Sequence, residues 1–177
     1  MKALLYSLLL FTLLSSSNCK KSSATEDQLP PETTTGAMTF GCKVDGKVFV
    51  PKDGNGQPGL YAQYVYLGNG PKEGWHLNIP VTNWSNSNYP TIGIETDSLF
   101  VLENMTYTFI KSKVGYASAY YSSGGNQFQM LLTDTGQLII KKHDIINHIL
   151  SGTFFFTATN SGGTKVNITD GRFDIKY

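Results

Sequence analysis

Ser151-Gly152-Thr153-Phe154-Phe155-Phe156-Thr157-Ala158-Thr159 is the stretch on which the fold turns. It places Phe154, Phe156 and Ala158 on one face and Thr153, Thr157 and Thr159 on the other. A period of two with one apolar side describes a strand buried on one face and wet on the other. That is the pattern of an antiparallel sheet. Phe155 points to the wet side, where cover by a neighbouring loop is expected.

The alternation continues in both directions. Downstream, Asn160-Ser161-Gly162-Gly163 reads as a flexible turn, and Val166 and Ile168 share a face. Asp170-Gly171 is read as a further turn, after which Phe173, Ile175 and Tyr177 face inward with Asp174 and Lys176 outward. Upstream, Asp134-Thr135-Gly136-Gln137 turns the chain into Leu138 to Lys142, and Asp144 to Asn147 has room for one helical turn. Phe128, Met130 and Leu132 alternate with glutamines, and Ala117, Ala119 and Tyr121 form another face. Trp75, Leu77, Ile79 and Val81 oppose His76, Asn78 and Pro80. Proline cannot donate to a ladder, so this strand is expected at an edge or to end there. Val44-Asp45-Gly46-Lys47 sets an Asp-Gly pair between two β-prone runs, the strongest short hairpin signal. Only Asp97 to Met105 mixes both periods and is a candidate for a short helix. The sum is an all-β domain over residues 39–177, an antiparallel β-sandwich or flattened barrel of about ten strands.

The N-terminal part has a different grammar. Met1-Lys2 precedes the apolar run Ala3 to Leu14, and Ser15-Ser16-Ser17-Asn18 follows. The run is too short for a permanent span, which takes ~20 residues. Residues 1–18 therefore read as a cleaved secretory signal. Cys19 after these small residues resembles a lipobox, with Ser16 where an aliphatic residue is usual. The resemblance implies that Cys19 becomes the first mature residue, carrying diacylglycerol on sulfur and an acyl chain such as palmitate on its amine. Several chains anchor stably where one is marginal. The competing use of Cys19 is a disulfide with Cys42, the second of the two cysteines. Lipidation would leave Cys42 unpaired, as a small buried hydrophobe. Lys20 to Met38 is rich in Ser, Thr, Pro and charge, so residues 19–38 read as the lipidated cysteine and a flexible tether, reaching at most ~65 Å.

Three further stretches carry a resemblance. Phe40-Gly41-Cys42-Lys43-Val44-Asp45-Gly46-Lys47 with Phe49, then Ser151 to Ala158, and then Val166 to Asp174 resemble a Bacteroidota lipoprotein family of unknown function. The resemblance implies an outer-membrane lipoprotein with an all-β domain. It brings no catalytic residue and does not distinguish the periplasmic face from the cell surface.

Chemistry is sparse. The chain has 14 basic and 13 acidic residues, and removing residues 1–18 removes only Lys2, so no basic footprint for nucleic acid exists. No nucleophile elbow, P-loop or zinc-protease signature occurs. His143 and His148 flank Asp144 without a third ligand at metal-site spacing, so no metal and no cofactor are expected. Asp53-Gly54-Asn55-Gly56-Gln57 alternates oxygen ligands but lacks the later bidentate Glu of calcium loops, and a Gly-rich turn is favoured. Glu95, Asp97 and Glu103 are the carboxylates from which a glycosidase pair would be drawn. Trp84 and Tyr89 sit in a polar loop and are candidate ligand contacts. Asp97-Ser98-Leu99 fits a short bacterial O-glycosylation pattern at Ser98. The expectation is a lipid-anchored cell-envelope protein that binds or supports rather than catalyses, with a glycan or an envelope protein as partner. The alternative is a carbohydrate-binding accessory module.

Overall fold

The computed structural model describes residues 27–111 and 113–177. The signal read over residues 1–18, the lipidation candidate Cys19 and the start of the tether lie outside the described residues. The elements are β1 (Thr39–Val44), β2 (Lys47–Phe49), β3 (Gln63–Leu67), β4 (Gly74–Thr82), β5 (Thr91–Asp97) and β6 (Thr106–Thr108). Then come β7 (Tyr116–Ser123), β8 (Asn126–Gln129), β9 (Gly136–Asp144), β10 (Ile149–Asn160) and β11 (Lys165–Lys176). All ladders between these strands are antiparallel and join them into one sheet. The described residues include no helix.

β10 is the spine. One edge pairs with β11 from Ile149 to Thr159. The other edge is shared: Ile149 to Phe156 pairs with β9, and Thr159-Asn160 pairs with β8. The sheet forks there, with β6 beyond β9 and β7, β5, β4 and β3 beyond β8. The two wings close over one apolar core. Tyr64 on β3 lies 5.1 Å from the His143 ring on β9 and 5.3 Å from Tyr177 at the chain end. This is the expected all-β fold, folded over like a sandwich or flattened barrel.

The two faces of β10 divide as their residues dictate. Phe154, Phe156 and Ala158 are buried, and a fully buried Phe contributes up to ~3 kcal/mol. Phe155 stays on the wet face, 42 % exposed beside Gln137 of β9 rather than under a loop. The Asp45-Gly46 hairpin forms as read: both residues have positive φ, 47° and 81°, as a tight two-residue turn demands. Asn55-Gly56 makes a second tight turn, with Gln57 N–H donating to the Gly54 carbonyl at 2.8 Å.

Several local expectations are corrected. Asp170-Gly171 does not turn the chain. β11 runs through it with a bulge, because Asp170 adopts φ 52° and the register to β1 steps from Thr169↔Lys43 to Arg172↔Gly41. Pro80 lies inside a strand paired on both sides. Its carbonyl accepts from Tyr61 N–H on the β3 side, so its missing N–H also faces that side, where the β3 ladder has stopped at Gln63. Asp97 to Met105 forms no helix; Leu99 N–H instead donates to the Trp75 carbonyl and Val101 N–H to the Tyr64 hydroxyl. Asp144 to Asn147 is a plain hairpin turn, held by Asp144 accepting from Asn147 N–H at 3.0 Å. Leu132 leaves the β8 pattern because the chain turns between Leu131 and Asp134, and it is 92 % exposed.

The largest departure concerns Asp174. It faces away from the core as read, yet it is 1 % exposed. Part of the stretch read as tether lies over it. Thr33 Oγ1 donates to the carboxylate at 2.7 Å, Thr35 N–H at 2.9 Å, Gly36 N–H at 2.7 Å and Ala37 N–H at 3.2 Å. Pro30 packs against Gly41, and Asp27 pairs with Lys52 at 2.8 Å. Burial alone would raise the Asp174 pKa, but the donors from Thr33, Thr35, Gly36 and Ala37 outweigh it and hold the carboxyl below its ordinary range. Residues 27–38 are thus a strap laid on the sheet.

Candidate binding groove

The outward faces of β4, β5, β7 and β8 form one surface. Register aligns their side chains in rows across the strands. Asn78, Glu95 and Ser118 make one row, and Pro80, Gly93, Tyr120 and Gln129 make the next. Their neighbours along each strand, such as Ile79, Ile94 and Ala119, point into the core. Alternation therefore gives this wing an apolar inside and an outside lined by amides and hydroxyls.

Two features turn that face into a groove. Gly93 has no side chain, and a Cβ there would collide with Cε1 of Tyr120. The Tyr120 ring therefore lies across the β5 backbone instead of standing off it. Glu95, half-buried beside this ring, lines three adjoining hollows of about 340, 140 and 340 Å³. The first also holds Gln127 and Gln129, the second Lys111 and Ser118, and the third His76 and Asn78. A further hollow of about 480 Å³ continues past Gln129 to Asn160.

The charges differ in how they are satisfied. Asp97 pairs with Lys72 at 2.9 Å and has the His76 Nδ1 at 3.6 Å. The other His76 nitrogen, Nε2, donates to the Lys72 carbonyl at 2.8 Å. The Glu95 carboxyl has no hydrogen-bond or ion-pair partner among the described residues. Burial pushes its pKa above the ordinary glutamate value. Tyr120 is raised too, by burial first and then by the charge of Glu95. An unpartnered, partly desolvated acceptor beside a phenol is suited to bind a donor-bearing ligand.

The residues singled out from sequence are scattered. Trp84 and Tyr89 do come together, with ring centroids 5.7 Å apart. Trp84 is half-buried, with Nε1–H donating to the Pro58 carbonyl at 3.1 Å, while Tyr89 is 47 % exposed. Ser98 takes φ 52° and packs against Gly74, and its buried hydroxyl has no partner among the described residues, so a glycan there requires the turn to open. Glu103 stands apart from Glu95 and Asp97, accepting from His143 N–H at 3.1 Å and pairing with Lys142 at 3.7 Å. His143 is fixed structurally: its Nδ1–H donates to the Val101 carbonyl at 2.7 Å and its Nε2 meets the Tyr177 hydroxyl at 3.0 Å. His148 packs on the other side of that Tyr177, 5.4 Å between centroids. Among the described residues no three His, Cys, Asp or Glu side chains assemble as a metal site. Asp53, from the calcium-like run, accepts instead from Gly59 N–H at 2.7 Å. Cys42 is a free, fully buried thiol, and burial raises its pKa.

Sequence reasoning reached Glu95 only as one of three carboxylates and did not single out Tyr120. What joins them is the pairing of β5 with β7, which no single strand announces. The outward-facing polar residues of successive strands were the available signal.

Comparison with curated proteins and with solved structures finds no match. Comparison with protein families matches residues 70–174 to a domain of unknown function, DUF6252. Every groove residue from Asn78 to Asn160 falls inside that span, as do Trp84, Tyr89 and Asp174. The match covers more than half of the chain, which therefore belongs to the DUF6252 family.

Proposed function

We propose that this protein is a lipid-anchored binding protein of the cell envelope, without catalytic activity of its own, that engages its ligand through the groove over Glu95 and Tyr120. The observation carrying the binding part is the Glu95 carboxyl, without a partner among the described residues, in a groove of amides and hydroxyls. Asp97, its acidic neighbour on the same face, engages Lys72 through Oδ2 and keeps a buried Oδ1 without a hydrogen bond among the described residues. The anchoring part rests on the leader ending at Cys19, on its lipobox-like context and on the resemblance to Bacteroidota lipoproteins. Under this reading the protein sits at the outer membrane. Cys19→Ala tests it: the variant is expected in the soluble fraction, and unchanged membrane fractionation overturns lipidation.

The second reading is a carbohydrate-binding accessory module. It is favoured by the paired Trp84 and Tyr89 rings, which offer an aromatic platform at a loop tip. Trp84→Ala on a glycan array tests that platform, and unchanged array binding removes it.

A further inference from the structure

We infer that the groove takes a neutral glycan, with sugar hydroxyls donating to the Glu95 carboxylate and a ring face resting on Tyr120. The inference rests on the binding reading above and names the ligand class of the same site.

Several observations select that class. The lining is hydroxyl and amide: Asn78, Ser118, Gln127 and Gln129 each donate and accept, as a sugar requires of its neighbours. A carboxylate with free lone pairs accepts two hydroxyls of one sugar. The hollow shared by Glu95 and Lys111 is lined by that one acid and that one base and, among the described residues, no other charged one, so the two offset each other and an ionic ligand finds little net attraction. The outer-face rows also present few apolar side chains, which disfavours an acyl chain or an apolar helix. The groove is long and open rather than deep. Its hollows run from His76 through Glu95 to Gln129 and on to Asn160, a path suited to several linked sugar units. Tyr120, laid flat by Gly93, supplies the apolar plate on which the C–H face of a pyranose packs.

The competing ligand is an amine, because a lone carboxylate also attracts a cation. An amine site gathers further carboxylates or an aromatic cage around the charge. Around Glu95 the one further carboxylate among the described lining residues, Asp97, is paired with Lys72, and amides and Lys111 complete the lining.

The test is retention of the full-length chain, purified in mild detergent, in gels containing laminarin, xylan, galactomannan or starch. A lysine-rich peptide is measured in parallel. Wild type is expected to be retarded by at least one neutral polysaccharide. Glu95→Gln and Tyr120→Ala are each expected to weaken retention about tenfold or more, the loss of a charge-assisted hydrogen bond or a stacking plate. Phe155→Thr, on β10 outside the groove, is expected to stay within about twofold. Unchanged thermal midpoints for Glu95→Gln exclude unfolding as the cause. Retention by none of the polysaccharides overturns the glycan class, and retention lost in Trp84→Ala but kept in Glu95→Gln overturns the groove as the glycan's site. Peptide binding that depends on Glu95, without polysaccharide retention, overturns the glycan class while the binding reading stands. Failure of both probes overturns both.

Discussion

The Thr33 hydroxyl donates to the Asp174 carboxylate at 2.7 Å across 141 residues of chain, tying the N-terminal strap to the last strand. Asp174 is 1 % exposed there and is surrounded by donors. Asp174→Asn turns one acceptor oxygen into a donor that faces backbone N–H groups. It is expected to lower stability by about 2–4 kcal/mol, as breaking a buried charged hydrogen-bond set does. Urea unfolding measures this, and limited proteolysis is expected to cut the variant between residues 29 and 38. The folded pKa lies below the ordinary aspartate value of 3.8, so the contribution is complete above that value and is lost as pH falls through the folded value. The stability gap between wild type and variant is therefore expected to close in acid below pH 3.8 and to be full at neutral pH. A gap independent of pH counts against the clamp.

Adjacent positions on β10 are expected to behave oppositely. Phe156→Ala removes a ring buried against Phe109 and Phe154, and is expected to cost about 3–5 kcal/mol. Phe155→Thr acts on a 42 % exposed side chain and is expected to stay within about 0.5 kcal/mol while improving solubility. Chemical denaturation of the two variants side by side measures both. Equal losses show that Phe155 is covered.

Cys42 is expected to be chemically silent. Its thiol is fully buried and burial raises its pKa, so the reactive thiolate is scarce. The native protein is expected to leave Cys42 unlabelled by a maleimide at neutral pH and to label it in concentrated urea. Rapid native labelling mapped to Cys42 by mass spectrometry contradicts this burial.

Gly93→Ala probes the groove without touching a polar group. The new methyl meets the far end of the Tyr120 ring, which can swing outward, so the stability loss is expected to stay below about 1 kcal/mol. The plate is displaced all the same, and polysaccharide retention is expected to fall as in Tyr120→Ala. Thermal melting with affinity electrophoresis separates the two effects. Full retention shows that the ring position is immaterial.

Legibility followed the range of the interactions. Strand identity is local, and alternation in Ser151 to Thr159 fixed which side of β10 is buried. Turn chemistry is local too, as Asp45-Gly46 shows. Asp170-Gly171 has the same two residues, yet becomes a bulge because β1 and β10 hold β11 on both sides. Pro80 misleads for a related reason: its tolerance depends on where a different strand ends. The strap was hidden by composition, since Thr33 to Ala37 reads as linker and acquires order only from a carboxylate far along the chain. The Glu95–Tyr120 groove needs three inter-strand registers to assemble, and neither residue type is rare enough to announce it.

The strap also has a mechanical side. Tension applied at the N-terminal end of the described chain passes along the backbone to the clamp on Asp174 of β11 before it reaches β1. Met38 Sδ accepts from Lys176 N–H just beyond, so both termini of the sheet are stapled at one place. Load then passes into β1 along its ladder with β11, where neighbouring hydrogen bonds share it instead of opening one by one. A domain suspended from that end would swing as one body under flow, with its groove undistorted.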